Sequence, residues 1–351
     1  MNRIILIGNG FDLAHGLNTR YTDFIDDFWN RMKEKIRSSY GIPCEDNIIK
    51  ISTLDYRADV RYPSDVNGYD WFKELVSINN NKYQTNFITI EHKNAFLKTI
   101  TENSTLQNWV DIEEEYYRAL NGCLSDNSGK NIEKLNNEFL FITIELENYL
   151  KIQQSRSVSK IEKIERNIFS ELKPNNFIKN TANEKLNKIL LLSFNYTSTE
   201  ALYVQNDSRI YDIIHIHGEL GNIDNPIIFG YGDEIGSEYK IIEAKNDNRY
   251  LEYIKSVKYF ETNSHRKLLN FIKFEDFEVF IMGHSCGRSD RVLLNMLFKD
   301  SRCMSIKVFY HKRDDGSDDY SYVVRNMSRH FPNKIYMRNI VVDKTDSEPL
   351  S

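Results

Sequence analysis

Short, unbroken apolar runs that end abruptly on glycine, asparagine or histidine constrain this chain more than any other feature. They fall near residues 3–8, 187–194, 212–217, 277–283 and 305–310, and a further run, PIIFGYG, closes at Gly232. A strand that is apolar on both faces must be buried on both. Runs of this kind separated by helical stretches predict a parallel sheet with helices on each side. In such a sheet ligands sit beyond the carboxyl ends of the strands. The unusual residues gather at those ends: Gly8-Asn9-Gly10-Phe11-Asp12, Ser193-Phe194-Asn195-Tyr196, His215-Ile216-His217-Gly218 and Gly283-His284-Ser285.

Between about 40 and 180 the strand signal nearly vanishes. WVDIEEEYYRALNGCL, NIEKLNNEFLFITIELENYLKIQQ and SKIEKIERNIFSEL space their apolar residues as helices do and carry many Glu/Lys pairs. The expected organisation is an α/β domain made of 1–39 and 183–342, a large helical insertion at 40–182, and a frayed polar tail at 343–351. A helix is predicted from Tyr21, with Phe24, Phe28 and Met32 on one stripe, and helical structure from about Asn246 to Lys273.

Composition narrows the function classes. The chain has 351 residues, enough for a full core. Its longest apolar runs are far shorter than a membrane span, and Met1-Asn2-Arg3 runs directly into a strand rather than a signal peptide. Four cysteines, at 44, 123, 286 and 303, form no CxxC pair. A cytoplasmic protein that engages no membrane is expected. The net charge of -5 argues against general affinity for nucleic acid.

The first loop places glycine at 8, 10 and 16, whereas the dinucleotide pattern GxGxxG would need glycine where Leu13 stands. Two glycines let an anion approach the backbone, and a helix start offers free N–H groups. A tight turn without a ligand is the other reading. Asn195 lies just past a buried strand, where its amide can point into a cleft while Thr197 or Ser198 caps the next helix. His215 and His217 alternate along a strand and are expected on one side of it. Such a pair could ligate a metal, as in a metal-dependent nuclease, but no matching carboxylate or cysteine cluster follows, so no metal is expected. A histidine at a strand end followed by glycine suits a general base with room for substrate, so His217 is expected to be chemical and His215 structural. GxSxG at Gly283 to Gly287 is the nucleophile-elbow pattern of a serine hydrolase, with Ser285 as nucleophile and Asp314 or Asp318 and His330 as partners. That reading leaves His217, Asn195 and the first loop without a task. Arg325 and His330 also show an Rx4H spacing that chance readily supplies. Trp109, Asp111 and Glu113 either reach the site from the insertion or pack the tryptophan with the acids in solvent.

In order along the chain, these motifs resemble known groups. Gly8, Gly10 and Gly16 followed by Leu17 are similar to the sirtuin loop that wraps the cofactor phosphates. SFNY resembles the sirtuin Thr-Gln-Asn segment, HIHG its His-Gly segment, and GHS its Gly-Thr-Ser loop. ILIGNGFDLAHGL, NWVDIEE, FNYT, HIHG and GHSCGRSD together resemble the bacterial abortive-infection family AbiH, a phage-defence group related to sirtuin-like domains. Departures from the sirtuin pattern are Asp12 in place of serine, Asn18 in place of proline, Tyr196-Thr197 in place of Ile-Asp, and no zinc ribbon. A lysine-peptide deacylase is therefore not expected.

The resemblance implies a Rossmann-like, sirtuin-like sheet and cleavage of NAD⁺ itself. Asn195 would hold the ribose or the attacking water, His217 would take a proton, and Asp12 would orient water or steady positive charge. Gly8, Asn9, Gly10, Phe11 and Gly16 would surround the pyrophosphate. Tyr196, Gly218 and Gly283 would contact the nucleotide, and Ser285 and Asp290 would face the adenosine side. The implied function is an antiphage NAD⁺ glycohydrolase answering a phage-derived trigger, with a homo-oligomer among the expected partners. A non-catalytic nucleotide sensor and the serine hydrolase are the alternatives.

Overall fold

The structure is a computed structural model that describes residues 1–38, 44–45, 48–53, 66–80, 88–103, 106, 108–126, 128–178, 184–204, 207–232 and 236–351. In chain order the strands are β1 (Asn2–Ile7), β2 (Cys44–Glu45), β3 (Ile49–Thr53), β4 (Ile88–His92), β5 (Ile189–Ser193), β6 (Ile210–His215), β7 (Phe277–Met282), β8 (Cys303–Tyr310) and β9 (Glu348–Pro349). The chain divides into two compact units, Met1–Thr19 with Glu147–Ser351, and Arg20–Leu146.

The first unit carries a six-stranded sheet in the order β6-β5-β1-β7-β8-β9, with every pairing parallel. Direction of winding reverses at β1, which pairs with β5 on one side and β7 on the other. This is the doubly wound, Rossmann-like arrangement, whose ligand crevice lies at the carboxyl edge where the order reverses. Ile5 stands opposite both Leu191 and Phe280. One face packs Ile4, Leu6, Leu192 and Ile281 against Leu268, Leu293, Leu297 and Met327 from three covering helices. The other packs Ile5, Ile7, Leu191 and Met282 against Phe11, Ile164, Ile168 and Tyr203. Helices on both sides explain why these strands read as continuous apolar runs.

Three expectations need correction, and a fourth falls outside the described residues. The polar tail is not frayed: β9 pairs with β8, Leu350 is buried, and Glu348 takes Lys307 Nζ at 3.0 Å. A single apolar anchor within a charged run is enough to seat it. Residues 226–232, PIIFGYG, form an irregular strap rather than a strand. It does not pair with the edge strand β6; its backbone bonds run from Ile228 N–H to the His217 carbonyl at 2.7 Å and from Tyr231 N–H to the Tyr253 carbonyl at 3.0 Å. A short helix, Asn9–Ala14, occupies what was read as a loop. The expected domain borders at 39–40 and 182–183 lie outside the described residues, and the compact units instead divide at Thr19/Arg20 and Leu146/Glu147.

The second unit is not wholly helical. β2, β3 and β4 make a small antiparallel sheet. Its strands IKIST and ITIEH do alternate in polarity, but over so few residues that the surrounding helical pattern masks them. The predicted helix forms at Tyr21–Ser38 and buries Phe24, Phe28 and Trp29, with Trp29 stacked on Phe72 at 3.9 Å. Trp109 packs edge-on to Tyr21 at 5.5 Å, and Asp111 accepts the Asn108 N–H at 2.8 Å to cap its own helix. Glu113 is buried rather than facing solvent. Among the described residues no helix is long and apolar enough to cross a membrane.

Candidate functional site

The carboxyl ends of β1, β5, β6 and β7 meet as expected, but the glycine pair serves the fold. Gly8 N–H donates to the Met282 carbonyl at 3.3 Å, Gly10 N–H to Gly283 at 2.8 Å, and Phe11 N–H back to Gly8 at 2.8 Å. A Cβ on Gly8 would lie 2.5 Å from His284 Cα, and one on Gly10 would lie 2.8 Å from Gly283 Cα. These glycines let two backbones touch at the point where the sheet reverses. The Gly8, Gly10 and Phe11 amides expected to help cradle a pyrophosphate are already spent. Phe11 is core, and Asn9 Oδ1 accepts from the Thr19 hydroxyl at 2.5 Å. Gly16, with φ +81, turns the chain after the short helix and faces open space.

Around this junction lie two separate groups of buried polar side chains. The first is built on Asp12. Its Oδ2 accepts the Thr197 hydroxyl at 2.6 Å, while Oδ1 is buried and has no hydrogen-bond partner among the described residues. Burial raises the Asp12 carboxyl to about 6; the Thr197 hydroxyl opposes the rise most, the nearby polar groups of Thr199 and Asn195 oppose it too, and the charge of Glu200 adds to it. Thr197 therefore serves Asp12 rather than capping a helix, and the Ser198 hydroxyl turns to Glu219 at 3.1 Å. Asn195 gives its Nδ2–H to the Gly8 carbonyl at 3.0 Å. Its main-chain carbonyl lies 3.2 Å from His215 Nδ1, and His215 Nε2 lies 2.8 Å from Glu200 Oε1. Burial pulls the His215 imidazole down, but Glu200 outweighs it and the net shift is upward.

The second group surrounds Asp290. Lys255 Nζ lies 3.1 Å and His217 Nε2 3.2 Å from Oδ1, and His284 Nε2 lies 3.3 Å from Oδ2. His284 Nδ1 accepts the Cys286 N–H at 3.1 Å, so the proton of a neutral His284 ring sits on Nε2 and points at Asp290. Tyr259 places its hydroxyl 3.1 Å from His217 Nε2, and Phe194 meets that ring edge-on at 5.1 Å. Burial and then the Lys255 charge pull His217 down to about 4, so it is neutral at pH 7. Against its own burial, Asp290 is held well below the usual carboxylate range by Lys255 and the two imidazoles.

His215 and His217 thus lie on opposite sides of the sheet, not on one. β6 ends at His215, and Gly218 N–H closes a turn onto the His215 carbonyl at 3.3 Å, so the strand's alternation stops there. Glu200 belongs to a turn whose Tyr203 packs on one face of the sheet, while Phe194 and Tyr259 belong to the other. A metal-binding histidine pair has no shared approach in this arrangement. His217 is only 4% exposed, and the space beside Gly218 is filled by the Pro226 carbonyl of the strap. It does not reach solvent as expected, nor does it stand with Asn195. Asp290 is committed to its own group rather than open to a ribose. Tyr196 gives its hydroxyl to the strap at Ile228, 3.1 Å away.

The serine hydrolase is not assembled either. His330 donates Nε2–H to the Cys286 carbonyl at 2.9 Å, Asp318 pairs with Lys344 at 2.7 Å, and the Ser285 carbonyl accepts from Asn326 at 2.9 Å. In GHSCG the left-handed backbone falls at Gly283 and at Cys286, φ 55, rather than at the serine.

The family model for bacteriophage abortive infection AbiH matches residues 4–312, through the whole parallel core as far as β8. The chain belongs to the AbiH family. No protein of curated function matches it.

In this AbiH chain sequence reasoning passed over Glu200, Lys255 and Tyr259, and used His284 only as part of a motif. A charged residue within an otherwise apolar or small-residue stretch, as in TSTEALY or YIKSV, was the available signal. The seating of the strap can be tested directly. Gly218 has φ +85, and a side chain there would meet the Pro226 carbonyl. Gly218→Ala is expected to cost about 2–3 kcal/mol from backbone strain and displacement of the strap. A thermal melt matching wild type would show that the strap does not sit there.

Proposed function

We propose that this AbiH chain is an abortive-infection effector that hydrolyses the nicotinamide–ribose bond of NAD⁺, with Asp12 and Asn195 as the acting pair. One observation carries the reading. A buried acid at the carboxyl edge of a doubly wound sheet titrates near neutrality and keeps one oxygen without a partner among the described residues. Glu200 and Glu278 also keep oxygens without hydrogen-bond partners among the described residues; Asp12 is set apart by its place at the carboxyl edge together with titration near neutrality, and perturbed acids cluster at functional sites.

The chemistry suits such a group. The C–N bond breaks with its electron pair passing to the nicotinamide nitrogen, which becomes neutral. The sugar is left as an oxocarbenium-like cation, and water then adds to it. Asp12, ionised at pH 7, steadies the cation and accepts the proton lost by water, then releases it to solvent. Asn195, anchored on Gly8, holds the ribose or the water in line. His217, the base expected from sequence, is assigned to the Asp290 group instead, and the pyrophosphate is not assigned to the spent Gly8 and Gly10 amides.

The test is release of nicotinamide and ADP-ribose from NAD⁺ by purified protein. Asn195→Ala is expected to lower turnover by about a hundredfold, through loss of attack geometry. Saturable nucleotide binding with no turnover in wild type would support the sensor instead.

A further inference from the structure

We infer that Glu200 is a positioning residue of this site, acting through His215 to fix Asn195 beside Asp12; the inference rests on the hydrolase reading above. The argument begins with acceptors. His215 Nδ1 faces the Asn195 carbonyl at 3.2 Å, and Nε2 faces a Glu200 oxygen at 2.8 Å. A carbonyl and a carboxylate can only accept, so both contacts call for a proton on each ring nitrogen; the contact with Glu200 is a charge pairing, since neither Glu200 oxygen has a hydrogen-bond partner among the described residues. His215 is then an imidazolium paired with a carboxylate that is 0% exposed. From there the chain of contacts continues through Asn195 to the Gly8 carbonyl at 3.0 Å. A buried ion pair between β6 and the 199–203 turn therefore holds the main chain of Asn195, whose side chain is pinned to the end of β1.

Glu200 also bears on Asp12 directly. Its turn follows Thr197, the donor to Asp12, and its negative charge opposes ionisation of that carboxyl. The other titratable groups facing this region are Glu219, whose charge supports His215, and His15, which Glu200 also influences. A buried ion pair that served stability alone would be replaceable by packed apolar residues. Its contact with the Asn195 main-chain carbonyl points to placement of Asn195.

The experiment uses Glu200→Gln in the full chain, with two readouts. In kinetics, kcat is expected to fall about thirtyfold with KM changed less than about twofold, the signature of lost transition-state placement. The acid limb of the kcat–pH profile is expected to move to lower pH, because a neighbouring negative charge has been removed from Asp12. A purely structural role would leave that limb in place. In nitrogen-15 NMR, wild-type His215 is expected to be doubly protonated at pH 7.5, and in the variant it should lose that state while the Asn195 side-chain amide signal moves.

Unchanged kcat and an unmoved acid limb overturn the inference, as does a neutral His215 in wild type or an Asn195 signal that stays in place. Absence of NAD⁺ turnover in wild type, with the NMR changes as expected, overturns the hydrolase reading and leaves Glu200 as the group that places Asn195. If Glu200→Gln does not fold, His215→Gln can still donate to the Asn195 carbonyl but carries no charge. It is expected to shift the Asn195 signal and lower kcat in the same way.

Discussion

Asp290→Ala is expected to destabilise the protein by about 3–5 kcal/mol, the range for breaking a buried ion pair from one side. Asp290 is 6% exposed and gathers one ammonium and two imidazoles that are themselves buried. Removing the carboxylate takes the counter-charge from Lys255 and leaves the proton-bearing nitrogen of His284 without its acceptor. The double variant Asp290→Asn with Lys255→Met is expected to recover most of the loss, since no uncompensated charge remains. Urea unfolding followed by circular dichroism measures both. An Asp290→Ala midpoint equal to that of wild type would mean that the group is not the buried cluster described.

Asp12→Asn is expected to do the opposite, raising stability while removing activity. Asparagine can still accept the Thr197 hydroxyl but cannot ionise. The sign follows from the two pKa values, about 6 in the folded state against a model-peptide value of 3.8. Below about pH 4 the acid is neutral in both states and the substitution changes little. As pH rises through that window, the wild-type folded state resists ionisation and loses up to about 3 kcal/mol relative to the variant. The variant should therefore melt higher at pH 8 and equally at pH 3.5. Its turnover should fall about a hundredfold or more, the usual worth of a positioned acid–base group. A variant that melts lower at pH 8 would show that the carboxylate stabilises the fold.

How much of this was legible follows from what each residue must satisfy. The parallel core could be read because Ile4 to Ile7, Ile189 to Leu192 and Phe277 to Met282 are buried on both faces, which leaves no room for alternation. The gathering of Asp12, Asn195 and His215 at the strand ends followed from the sheet rule alone. The function of Gly8 and Gly10 did not, because a glycine that admits a phosphate and a glycine that admits a neighbouring backbone look alike until β7 is placed. The burial of His217 was not legible, because β6 ends at His215 before the turn at Gly218 and the strap that covers it reads as a strand. Lys255 and Asp290 are 35 residues apart, and no local pattern links them. The β9 tail and the β2–β4 sheet were lost for a simpler reason: two- to five-residue strands give too few repeats for a period to stand out.

The most direct test is the NAD⁺ content of cells during phage infection, measured before lysis in cells carrying the wild-type chain or its Asp12→Asn variant at matched expression. The account predicts that NAD⁺ collapses in infected wild-type cells, with nicotinamide and ADP-ribose appearing in equal amounts. In variant cells NAD⁺ should hold at the level of uninfected controls, and protection of the culture should be lost. Protection by the wild-type chain while cellular NAD⁺ stays constant would contradict the account.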